Sequence, residues 1–177
     1  MKRIFSIVVI LLMVNVAVGF SQTSLSPKEL KGVKVQTDSF DNKTFYTAAH
    51  TGLFVVVDNG SCRLNWTLSA ADTKAIKIEG VKINVDGILY DVGFDLLETQ
   101  EYHKTPVKIT YFYSETTFRA EKYFDLLEKI ISSKGTPQIR FFVRSFSETR
   151  YIDGSFNEKN KEATRKILNI YNKLSAQ

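Results

Sequence analysis

Chemistry in this chain would have to start from few residues: two histidines, His50 and His103, and one cysteine, Cys62. The histidines lie 53 positions apart, and neither has a second ligand at the i+4 spacing that places two donors on one helix face. The densest acidic cluster near a histidine is Glu98, Glu101 and His103, inside a polar stretch (97–106) that ends at Pro106. Two carboxylates and an imidazole could hold a metal, and the same composition describes a solvated loop. No G-x-S-x-G elbow raises a serine nucleophile, and no S-x-x-K pair is present. No G-x-G-x-x-G or G-x-x-x-x-G-K-[ST] loop offers backbone amides to a phosphate, so no cofactor is implied. Asp38 and Asp41 are close in sequence, but they flank a turn, where aspartate belongs for conformational reasons.

The most suggestive surface is the segment 138–146. With Ile139, Phe141 and Val143 turned to a core, the alternation sends Arg140, Phe142, Arg144 and Phe146 to the opposite face. Arginine interleaved with aromatic rings can hold an anionic or aromatic partner, or stack on single-stranded nucleic acid. It can equally be a solvated sheet face in which arginine covers neighbouring rings.

These residues need elements to position them, and the mature part of the chain reads mainly at period two. Asn59-Gly60 is a preferred two-residue hairpin loop, because both central positions take positive φ. It predicts the pairs Asp58–Ser61, Val57–Cys62, Val55–Leu64 and Leu53–Trp66, which turn Cys62 into a core as an inert thiol. Asp86-Gly87 predicts a second hairpin pairing Val85–Ile88, Ile83–Tyr90 and Val81–Val92. Apolar parity slips by one across Glu79-Gly80, which predicts a bulge there. Val107, Ile109, Tyr111 and Tyr113 read as a further strand. The period then changes. Ala120, Tyr123, Phe124, Leu127, Ile130 and Ile131 give one helix an apolar stripe, stopped by Gly135 and Pro137. After strand 138–146, Asp153-Gly154 predicts a turn, and Ser155 with Glu158 predicts the capping box of a second helix. That helix carries Ala163, Ile167, Ile170, Tyr171 and Leu174 on one stripe. The sum is an α+β domain: a curved antiparallel sheet of about seven or eight strands, with both helices of the C-terminal half on one face.

Residues 1–21 read as a secretory leader. Lys2 and Arg3 precede an apolar run from Ile4 to Val14, and small residues follow at Ala17, Gly19 and Ser21. The run is shorter than the ~20 residues that span a bilayer. Cleavage is expected after Ser21, with Gly19 as the alternative. Residues 22–30 then form a flexible lead-in, and 31–177 form a single domain. Without the leader, 22 basic side chains face 19 acidic ones, so the net charge falls from +5 to +3. Such a domain is no electrostatic match for nucleic acid, and an exported protein meets little of it. A lone cysteine rules out an internal disulfide.

The leader implies a periplasmic or secreted location, in the manner of bacterial envelope proteins. The expected function is a non-catalytic binding domain for another exported or envelope protein, through the Arg/Phe face. One alternative is a carrier for a small apolar ligand (lipid or metabolite), with Tyr90, Phe94, Tyr111, Tyr113, Tyr123 and Phe124 lining a cavity between sheet and helices. An envelope hydrolase is the second; it would show His50 or His103 in a pocket beside a carboxylate and a hydroxyl.

Overall fold

The computed structural model describes residues 25–93, 99–104, 112–146 and 148–176. The leader, its cleavage region, Phe94, Glu98, Val107, Ile109 and Tyr111 lie outside the described residues.

Among these residues ten strands and two helices follow in order. They are β1 (Val33–Asp38), β2 (Lys43–Ala48), β3 (Leu53–Asp58), β4 (Ser61–Asp72), β5 (Lys77–Val85), β6 (Ile88–Val92), β7 (Thr99–Lys104) and β8 (Phe112–Arg119). A short 3₁₀ turn (Glu121–Tyr123) leads into α1 (Phe124–Ser132), then β9 (Gln138–Ser145), β10 (Glu148–Ser155) and α2 (Glu158–Ser175). Among the described residues no helix is long and apolar enough to cross a membrane.

The α+β class holds, with antiparallel pairing throughout, but the strands form two sheets in place of one curved sheet of seven or eight. One has six strands in the order β1-β2-β3-β4-β8-β7, the other four in the order β10-β9-β5-β6. The division falls after Asp72, where β4 ends and the 73–76 connection carries the chain into β5. The Ile78 amide donates to Ser114 Oγ (3.2 Å), and Arg150 on β10 pairs with Asp72 on β4 (3.0 Å). These bonds tie the sheets together at that junction.

Local chemistry explains the hairpins. Asn59 and Gly60 take φ of +48° and +80°, and Asp86 and Gly87 take +50° and +90°, as primed turns require. The pairs run Asp58↔Ser61 to Leu53↔Trp66, and Val85↔Ile88 to Val81↔Val92. The β5–β9 register shifts between Ile78 and Gly80, so Ile78, Val81, Ile83 and Val85 are all buried despite their change of parity.

Other expectations need correction. Asp153-Gly154 is not a turn: both residues lie within β10, opposite Arg140 and Ile139. The chain reverses earlier, at Phe146, whose φ is +45°. Ser155 is accordingly still strand, and the α2 N-cap is Asn157, in a reciprocal box with Asn160. Glu101 and His103, read as loop, lie on β7 opposite Glu115 and Tyr113 of β8. Polar composition hid both β7 and β10, which are edge strands, where charged residues discourage unwanted pairing. The lead-in carries a turn from Ser26 to Gly32, with Leu25 and Leu30 packed on the core and Glu29 paired with Lys173 of α2.

One apolar cluster joins the layers. Leu53, Val55, Leu64 and Trp66 come from the larger sheet, Ile78, Ile83, Phe141 and Val143 from the smaller, and Leu127, Ile130, Ile167 and Ile170 from the helices. Helix α2 lies against β2, β3 and β4. Its buried Lys161 donates to the carbonyls of Ser133 (3.0 Å) and Gly135 (2.7 Å), just past the α1 C-terminus. A cation there satisfies orphan carbonyls and opposes the negative end of the helix dipole.

Candidate functional site

Strand β9 alternates as its sequence demands: Ile139, Phe141 and Val143 are buried, and Arg140, Phe142 and Arg144 point outward from the four-stranded sheet. The register sets Arg140 between Asp153 and Lys82, Phe142 between Tyr151 and Gly80, and Arg144 between Thr149 and Lys77. Three of the four nominated side chains therefore share one surface. Phe146 does not join the row, because it occupies the β9–β10 turn, where it is 92% exposed.

The row is internally bonded. Arg140 donates to Asp153 through Nε (2.7 Å) and Nη2 (2.8 Å), in the two-pronged geometry that suits a carboxylate. These bonds and the paired charge raise the Arg140 pKa and hold the Asp153 carboxyl below its ordinary range. Arg140 also lies 5.3 Å from the Tyr151 ring, and Phe142 meets that ring edge-on at 5.2 Å. Lys82 Nζ is 5.8 Å from the Phe142 ring centre and 3.5 Å from Asp91, while Arg144 pairs with Glu79 at 2.8 Å. The opposite charges come from β10, β5 and β6, all outside the segment that nominated the site. At one end of the row, Ala75, Ile76, Lys77, Arg144 and Phe146 line an open depression of about 270 Å³.

The other nominated groups are dispersed. Glu98 lies outside the described residues and Glu101 and His103 fall on β7; among the described residues no three His, Cys, Asp or Glu side chains converge as a metal site. Of the aromatics proposed to line a cavity, Tyr90, Tyr123 and Phe124 pack against the core. Trp66, Phe118 and Tyr123 stack in sequence at 5.8 and 5.5 Å, and the Tyr123 hydroxyl donates to the Gly93 carbonyl (2.6 Å). Cys62 is half-buried; burial first, and then the charge of Glu121, push its thiol up to about 11, which keeps it protonated and unreactive at neutral pH.

A second location went unnoticed in the sequence. The loop between β2 and β3 (49–52) packs beside α2, and with the Gly32 turn the two enclose a depression of about 150 Å³. His50, Lys159, Glu162 and Lys166 supply its polar lining. His50 thus shares a depression with a carboxylate, but among the described residues no hydroxyl lines it. Gly52 was the available signal, since an interior glycine next to a strand marks a close backbone approach.

Comparison of the chain with known protein families, curated proteins and solved structures finds no match.

Proposed function

We propose that this protein is an exported, non-catalytic binding domain of the bacterial periplasm or cell envelope, which engages another exported or envelope protein through the outer face of the four-stranded sheet. The observation that carries this reading is the exposed row of cations and rings. Arg140 and Arg144 keep 53% and 61% of their side-chain surface exposed, and Tyr151 is 62% exposed. Arginine and tyrosine are over-represented among the residues that dominate protein interfaces. The Asp153 and Glu79 bonds hold the guanidinium groups in place before a partner arrives, which lowers the ordering entropy of association.

The test is a charge reversal. Arg140→Glu combined with Arg144→Glu abolishes co-purification of the envelope partner, whereas retention of every partner by this variant refutes the surface. Native mass spectrometry of freshly purified protein separates this reading from the carrier: a clean apo mass supports the binding domain, and a bound lipid or metabolite supports the carrier.

A further inference from the structure

The β2–β3 loop is held in an unfavourable backbone conformation by contacts from three other elements. His50 has φ of +66°, a left-handed value that strains any residue with a Cβ. The Asn160 side-chain amide donates to the His50 carbonyl at 2.6 Å. The same Asn160 side chain accepts from the Asn157 amide at 2.8 Å, so one residue joins the start of α2 to the strained loop. Two positions on, the Gly52 carbonyl accepts from the Thr67 amide (2.9 Å), and a Cβ on Gly52 would lie 1.8 Å from the Thr67 carbonyl oxygen. Between them, Thr51 Oγ1 is 3.3 Å from Thr164 Oγ1 of α2 and accepts from the Leu53 amide at 3.2 Å. Strain that is over-determined in this way recurs at ligand clamps.

What the loop presents is an imidazole at the wall of a depression whose other polar groups are Lys159, Lys166 and Glu162. Glu162 bonds Lys166 at 2.8 Å, an i,i+4 pair that fixes the ammonium group and leaves it further N–H donors. Lys159 is paired with no carboxylate among the described residues. Three cationic or protonatable donors therefore face one carboxylate. The volume of about 150 Å³ lies well below the ~300–1,000 Å³ of sites for drug-sized ligands. It is equivalent to about five waters at ~30 Å³ each, which suits a compact ligand group.

We propose that this depression is a binding site for a compact oxyanion, a phosphate or carboxylate group, held by His50, Lys159 and Lys166. The site lies on the six-stranded-sheet side of the molecule and does not depend on the partner surface proposed above. Titration of the ¹⁵N-labelled protein with inorganic phosphate, and separately with acetate, at constant ionic strength tests it. Saturable shifts are expected at the amides of His50, Ala163 and Lys166. Saturation by phosphate alone identifies a phosphate site, and saturation by acetate identifies a carboxylate site. Lys159→Glu, at an exposed position, weakens the affinity at least tenfold. His50→Gly keeps the left-handed turn without the imidazole and weakens it at least threefold. Shifts that rise linearly with both anions, or an affinity unchanged in Lys159→Glu and His50→Gly, overturn the proposal.

Discussion

The outer face of the four-stranded sheet and the β2–β3 loop both gather charge, but they are held in opposite ways. On the face, regular strands place three cations beside carboxylates of neighbouring strands: Arg140 beside Asp153, Arg144 near Glu79, Lys82 beside Asp91. The described residues of these strands carry no positive-φ position except at the turns. In the loop the backbone itself is strained, at His50, and two of the bonds that fix it come from partners 110 and 113 positions away in sequence, Asn160 and Thr164. Residue type and period were enough to nominate the first region. The second depends on which distant segments meet, and the local sequence marks it only by Gly52. Binding by the face would draw on exposed side chains, and binding by the loop on a backbone already committed to one shape.

The sharpest way to break this contrast is Gly52→Ala. The added Cβ would lie 1.8 Å from a main-chain oxygen, Thr67 O, which cannot rotate aside as a side chain could. The loop must then move off β4, and the Thr67–Gly52 hydrogen bond goes with it. The variant is expected to lose about 3 kcal/mol, the upper end for a steric insertion into a packed site. Urea unfolding measures this directly. A loss below about 1 kcal/mol would mean that the loop has slack, and the argument from over-determined strain would fall.

The same contrast explains what was legible in the chain. The hairpins at Asn59-Gly60 and Asp86-Gly87, the bulge before Gly80 and the buried stripe of β9 are local, and they stand as the sequence predicted. Strand β10 was missed because it sits at an edge with half-exposed residues on its inner side, so its alternation is faint: only Arg150, Ile152 and Gly154 are partly covered. Asp-Gly looked like a turn there, yet Gly154 sits where a Cβ would come within 3.1 Å of Ile139 Cγ2, so its small size serves cross-strand packing. The true reversal uses Phe146 at positive φ, a choice no turn preference anticipates. One sheet became two because nothing along 73–76 announces a change of pairing partner. Of the nominated site, the Arg140–Phe142–Arg144 row was readable from period two, while its carboxylate partners depended on register with other strands.

His50→Gly sharpens the comparison with a smaller effect of opposite sign. Glycine enters the left-handed region without the Cβ clash that costs other residues about 1–2 kcal/mol, and it gives back part of this through a more flexible unfolded chain. The balance is a gain of about 0.5–1 kcal/mol, read as a higher urea midpoint. The Asn160 bond to the residue 50 carbonyl survives, because it uses only the backbone. A stabilised protein that binds oxyanion less well would show that strain at this position serves the imidazole. A destabilised one would show that the imidazole itself holds the loop, and the two regions would then differ less than their geometry indicates.

The smallest effect is expected on the flat face. Asp153 has a folded pKa below its unfolded value, so its pairing contributes stability that is complete above the ordinary carboxylate range and is lost as pH falls through the lowered folded value. Arg140, whose pKa is raised, stays charged throughout that window. Both side chains are more than half exposed, so water and salt screen the pair. Arg140→Gln should therefore leave the urea midpoint at pH 7 within experimental error at physiological salt. Whatever small difference from wild type persists there should shrink as the pH falls below the ordinary carboxylate range and through the lowered folded value of Asp153. A large loss at pH 7 would make Arg140 a structural brace, and a residue bound up in that way would not be free to recognise a partner. An unchanged midpoint, together with lost partner binding in the charge-reversed double variant, would assign the row to recognition and leave stability to the core beneath it.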